Sequence, residues 1–190
     1  MTLFYAYLFP AMWIAFVLYW TAMAKDLKPI TRSEPRGSRL VRLILMIAAI
    51  SLLWMHHGPI PILNCRFLPF AEWTFWTGAA VTAAGLIFSV WARRHLGSNW
   101  SREVTVKQGH ELIRTGPYAI VRHPIYTGLL IAFFGCAIAR GEWGGLVAVV
   151  LVFIALWLKL SLEEKWMREQ FGQAYDLYSR QVAALLPFVF

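Results

Sequence analysis

Residues 109–128 read GHELIRTGPYAIVRHPIYTG and stand between apolar runs long enough to lie in a bilayer. Two histidines, two tyrosines and two arginines share this segment with prolines and glycines at turn positions. Polar groups at membrane depth are expensive unless satisfied, so such a cluster beside lipid marks a place where chemistry is carried.

Working outward, residues 3–24 carry no charge and are long enough to cross a membrane. Residues 40–55 are interrupted by Arg42, placed near the start where a long side chain can snorkel. Residues 73–92 are rich in small side chains (Gly78, Ala79, Ala80, Ala83, Ala84, Gly85) that let helix backbones approach. Residues 126–139 and 143–162 are separated only by Arg140, Gly141 and Glu142, which predicts a helical hairpin. The expectation is an all-α integral membrane protein with about five transmembrane helices and a polar C-terminal helical region. It forms a single domain, with three helices in 1–92 and a core in 93–190. The tail from 163 follows a helical pattern interrupted at Gly172, with Trp166, Phe171, Tyr175 and Tyr178 recurring at helical spacing, and reads as a helix continuing out of the membrane and a second packing back along the cytoplasmic face.

The loops set the orientation. Lys25, Lys28, Arg32, Arg36 and Arg39 fall between the first two runs, and Arg93, Arg94, Arg102, Lys107, Arg114 and Arg122 between the third and fourth. Residues 56–72 hold only Arg66. The positive-inside bias puts the N-terminus outside and both the 93–125 loop and the C-terminus in the cytoplasm. The membrane is the inner membrane of a bacterium or the endoplasmic reticulum of a eukaryote. The first run lacks the basic lead and short length of a cleaved signal and reads as a retained helix.

Composition agrees: 59% of the 190 residues are hydrophobic, and mean hydropathy is +0.55. The +8 charge sits in loops flanking apolar runs, which suits an anionic lipid surface and argues against nucleic acid. Cys65 and Cys136 form no metal or disulfide pattern, and the histidines lack the HExxH spacing, so no metal is expected.

Arg122, His123 and Pro124 precede the short fourth run, and Tyr126 opens it. A helix start with proline in its first turn favours an anionic group. These residues also suit interfacial anchoring to headgroups. Glu163 and Glu164 close the fifth run, where acidic residues oppose the helix dipole. Lys159 lies four residues before Glu163 and shares its face. The group reads either as a surface ion pair or as a ligand site.

RTGPYAIVRHPIYTG, the later EEKWMREQFGQAYDLYSRQV and the late LLPF together resemble the isoprenylcysteine carboxyl methyltransferase family, with phospholipid methyltransferases similar in the same region. The resemblance covers about half the chain, residues 92–188. It implies a methyltransferase that uses S-adenosylmethionine without a Rossmann fold and acts on a lipophilic or lipid-linked acceptor amid membrane lipids. It further implies cofactor contacts from His110, Glu111, Leu112, Ile113, Gly116, Tyr118, His123, Pro124, Ile125, Tyr126 and Glu163, with Thr105 as an upstream contact. Lys159, Glu163, Glu164 and Arg122 are the candidates for catalysis. Lys159 stands where the family is expected to place an arginine, so charge is kept but the bidentate fork is not. N-methylation of a phospholipid amine and non-catalytic lipid binding stand as alternatives to carboxyl methylation.

Overall fold

The computed structural model describes residues 2–23, 30–32, 35–54, 58–97, 106–107 and 112–187. Helices α1 (Thr2–Ala22), α2 (Arg36–Trp54), α3 (Glu72–Leu96), α4 (Pro124–Arg140), α5 (Trp143–Phe171) and α6 (Gln173–Gln181) make up most of it. Two short strands, β1 (Ile30–Arg32) and β2 (Val106–Lys107), pair antiparallel between the long loops. Three helices, α2, α3 and α5, are long and apolar enough to cross a membrane. α1 is 21 residues long and uncharged, and α4, at 17 residues, is shorter than any of these.

The tightest contact is the crossing of α3 and α4, and the small residues of α3 make it possible. A Cβ at Gly78 would lie 2.6 Å from the Ala139 side chain, and Gly85 meets the backbone of Gly128 and Ala132. Such approach lets the buried Ser89 hydroxyl donate to the Ile125 carbonyl at 3.1 Å, and the Thr82 hydroxyl to that of Ala132 at 3.2 Å. The small-residue face of the third span therefore packs within the chain. Gly78→Val is expected to lower the melting temperature in detergent, at a cost of about 1–3 kcal/mol for overpacking; an unchanged melting curve would show that the crossing can relax.

The hairpin forms as the sequence predicts. Gly141 turns it with φ of +67°, in the left-handed region that glycine tolerates best. Its carbonyl accepts from the Phe67 and Leu68 amides, and Arg140 reaches back to the Leu53 carbonyl at 2.6 Å. Arg140 also pairs with Glu142 at 2.8 Å, which neutralises the turn.

α5 is longer than its apolar run. At 1.5 Å per residue, about twenty residues cross a hydrocarbon core of ~30 Å. That length carries α5 from Trp143 to the neighbourhood of Leu162, yet the helix continues to Phe171. Glu163 and Glu164 are thus interior helical residues, and the reading of a helix end that opposes its dipole is corrected. Gly172, with φ of +51°, stops the helix and starts α6.

Candidate active site

Three local features bring the site together. Gly116 adopts φ of +59°, and the His95 ring fills the space a side chain would need, 2.7 Å from a Cβ. His95 bonds the Thr115 hydroxyl at 2.9 Å and stacks on Tyr118. The turn Gly116–Ala119 then leads to His123, the N-cap of α4, whose side chain makes no capping bond and remains available to α5. Pro124 follows at the first helical position, where its missing N–H costs nothing.

From there the imidazole reaches both glutamates. Nδ1 lies 3.6 Å from Glu163 and Nε2 3.3 Å from Glu164. One turn on, the Tyr126 hydroxyl donates to Glu163 at 2.6 Å, and the two rings stack in parallel at 5.5 Å. Lys159 stands 4.0 Å from Glu163 and 5.4 Å from the centre of the Tyr126 ring. Arg42 of α2 also acts electrostatically on Tyr126. Sequence reading treated Arg42 as a snorkelling residue and missed this; α2 lies outside the motif blocks, and only tertiary packing brings it here.

Glu164 is 8% exposed and held on every side. Arg122 donates to it through Nη2 at 2.7 Å and Nε at 2.9 Å, and Arg168 adds a contact at 3.2 Å. The other terminal nitrogen of Arg122 donates to the carbonyls of Ser179, at 2.9 Å, and Val182. Backbone bonds extend the docking: the Arg122 and His123 amides donate to Ala183 and Ala184, and the Thr127 hydroxyl to Leu185. Tyr178 completes it by donating to the Tyr118 carbonyl at 2.6 Å. The C-terminal segment is strapped across the entrance to α4.

The sequence candidates thus fall into groups. Arg122, His123, Tyr126, Lys159, Glu163 and Glu164 converge. Pro124 and Ile125 are buried at the base of α4, and Tyr118 is buried close enough to feel the Glu163 charge. Ile113 packs against the core, and Leu112 and Gly116 lie on the same approach loop. Thr105, His110 and Glu111 lie outside the described residues. The carbonyls of the tail escaped sequence reading because every residue offers one, and no side chain announces which will be used.

Burial alone would disfavour the charged form of His123. The hydrogen bonds and negative charges of Glu163 and Glu164 outweigh it and raise the imidazole above its ordinary value of 6.5. Protonation is then tighter in the folded state than in the unfolded chain. His123 contributes its full stability below that ordinary value and loses it as pH rises through the elevated one. Melting temperature in detergent is expected to fall across that window, and His123→Gln is expected to flatten the slope. An unaltered slope in the variant would contradict the pairing.

Buried Tyr126 and Glu164 and half-buried His123, Lys159 and Glu163 thus form one polar cluster between α4 and α5 of an apolar helical scaffold. The family model described as phospholipid methyltransferase matches residues 73–174, from α3 into α6, and the chain belongs to that family. A protein-S-isoprenylcysteine O-methyltransferase of Schizosaccharomyces pombe is 30% identical over 99 residues, which cover 49% of this chain and 41% of the relative. A probable enzyme of the same name from Oryza sativa subsp. japonica is 36% identical over 81 residues, 42% of each chain. A methanethiol S-methyltransferase of Pseudomonas deceptionensis is 41% identical over 70 residues, 37% of this chain and 26% of the relative. The chain thus spans less than half the length of each of these three relatives.

Proposed function

We propose that this protein transfers a methyl group from S-adenosylmethionine to an anionic group on a lipophilic acceptor, with the carboxylate of a prenylated cysteine as the prototype. The observation that carries the reading is the convergence of His123, Tyr126, Lys159 and Glu163, drawn from two sequence blocks and joined within hydrogen-bonding or ion-pair reach. The donor set fits the methyl donor: Glu163 offers a carboxylate to its cationic groups, and the Tyr126 ring beside it offers an aromatic face. When bound, S-adenosylmethionine supplies an already activated methyl on a sulfonium, so the protein's task is alignment. His110, Glu111, Leu112, Ile113, Gly116 and Tyr118 complete the contact set, with Thr105 upstream.

Lys159 holds the acceptor anion beside Tyr126. A carboxylate is ionised at neutral pH and requires no base. An amine acceptor would need one, yet Glu163 is engaged by Tyr126 and Lys159, and Glu164 by two arginines. That engagement disfavours phospholipid N-methylation. A thiolate acceptor is the second reading, motivated by the methanethiol S-methyltransferase relative. The five-helix topology, with the 93–125 loop and the C-terminus cytoplasmic, brings the soluble donor from the water side and the acceptor from the bilayer.

An apolar cavity of about 320 Å³ lies against α4, lined by Phe88, Val121, Leu130, Ile131, Leu185 and Leu186 among others. Its size suits part of a hydrocarbon chain. Ile131→Trp, at a half-exposed cavity wall, is expected to raise KM about tenfold for a long-chain acceptor and to spare a short one. Equal effects on both acceptors would remove the cavity from the acceptor's path.

Calorimetry with S-adenosylhomocysteine on the detergent-solubilised protein tests the reading. Binding is expected in the wild type and is expected to weaken in His123→Ala and Glu163→Ala. Absence of binding by folded wild-type protein would overturn it.

A further inference from the structure

We propose that Arg122 is a positioning residue, which makes the docked C-terminal segment the element that orients His123 toward Glu163. The inference rests on the methyltransferase reading for its functional consequence, but its geometry stands apart from that reading.

One guanidinium bonds two things that are otherwise unconnected. Two of its nitrogens hold a single oxygen of Glu164, at 2.9 and 2.7 Å, while the third donates to the Ser179 and Val182 carbonyls at the end of α6. The same glutamate oxygen faces His123 Nε2 at 3.3 Å. A chain of contacts therefore runs from the tail backbone through Arg122 and Glu164 to His123, and from its other nitrogen to Glu163. Around the imidazole stand Glu163 and Glu164 of α5, Tyr126 of α4 and Arg122 of the approach loop.

The arrangement assigns unequal work to two adjacent glutamates. Glu163 faces Tyr126 and Lys159 and is the one placed to meet ligands. Glu164 accepts from Arg122, Arg168 and His123, so its oxygens are committed to holding the others in register. A lysine at position 122 could supply charge but not the planar set of donors that serves a carboxylate and two carbonyls together. The tail carbonyls are the acceptors that end α6, and without Arg122 they would be left to water or to the backbone alone.

Three variants of the full chain in detergent test this: Arg122→Lys, Arg122→Ala and Glu164→Gln. Three readouts are compared, namely the pH titration of His123 by NMR on histidine-labelled protein, the rate of tryptic cleavage after the exposed Arg180, and S-adenosylhomocysteine affinity. Glu164→Gln is expected to lower the His123 titration midpoint, because the neutral amide no longer favours the imidazolium. It is also expected to weaken affinity about tenfold, the loss of a charge-assisted contact, while tail cleavage stays slow. Arg122→Ala is expected to move all three, with cleavage about tenfold faster, and Arg122→Lys to recover only part. Full recovery by lysine would overturn the proposal, since a point charge would then suffice. A Glu164→Gln protein whose His123 titrates as in the wild type would also overturn it. If the wild type binds no S-adenosylhomocysteine, the methyltransferase reading fails, while titration and proteolysis still decide the coupling.

Discussion

Glu163→Gln is expected to reduce methyl transfer by about 10²- to 10³-fold, the range seen when one preorganised electrostatic contact is removed from a reacting centre. The size follows from what the carboxylate does. It accepts the Tyr126 hydroxyl at 2.6 Å, lies 3.6 Å from the His123 ring and balances Lys159 at 4.0 Å. Glutamine keeps the shape but turns an acceptor into a donor at one of its two positions, and it leaves Lys159 without its carboxylate and His123 with Glu164 alone. Cofactor affinity is expected to fall together with kcat, because the lost charge is the one proposed to serve the cationic donor. Glu163→Asp preserves charge at shorter reach and is expected to retain more activity than glutamine. Initial rates with methyl-labelled donor, alongside calorimetry, measure both. A glutamine variant within twofold of wild type would show that Glu163 sits beside the reaction and not in it.

Lys159→Ala is expected to act on the acceptor. Truncating one member of a close charge pair costs at least about 2 kcal/mol, so KM for an anionic acceptor should rise roughly 30-fold. Donor affinity should change far less. Lys159→Arg restores charge and adds the fork that matches a carboxylate. It is expected to recover activity on a carboxylate acceptor, and to do so better there than on a thiolate, which offers a single atom to hold. If Lys159→Ala leaves KM unchanged for carboxylate and thiolate acceptors alike, the lysine serves Glu163 only.

The architecture was legible where hydropathy and helix periodicity coincide. The hairpin of α4 and α5 followed from two apolar runs separated by Arg140, Gly141 and Glu142, and the small residues of α3 announced a close crossing. The fit was poorer where the two signals part. Hydropathy marks the extent of the bilayer, so the apolar run stopped at Leu162 while the α5 helix, favoured by Glu, Lys, Met and Arg, ran on to Phe171. The continuation to Gly172 was legible in the helical pattern of the tail, but setting the glutamate pair against a helix dipole took the end of the apolar run for the end of the helix. The convergence of Lys159 with Glu163 was readable because residues four apart share a face. The opposing roles of Glu163 and Glu164 were not, since neighbours on a helix point about 100° apart and only the packed α4 and α6 show what each meets. Arg122 illustrates the limit best: its motif made it a candidate for catalysis, while its partners are Glu164 and two backbone carbonyls 57 and 60 positions away.

The most direct measurement is transfer of a radiolabelled methyl group from S-adenosylmethionine by the purified protein to a prenylated cysteine analogue, with a hydrophobic thiol and a phospholipid amine in parallel. The account predicts label in the prenylcysteine acceptor that is released by base, as an ester must be, or in the thiol if the second reading holds. Absence of label from all three acceptors, or base-stable label confined to the phospholipid amine, would contradict it.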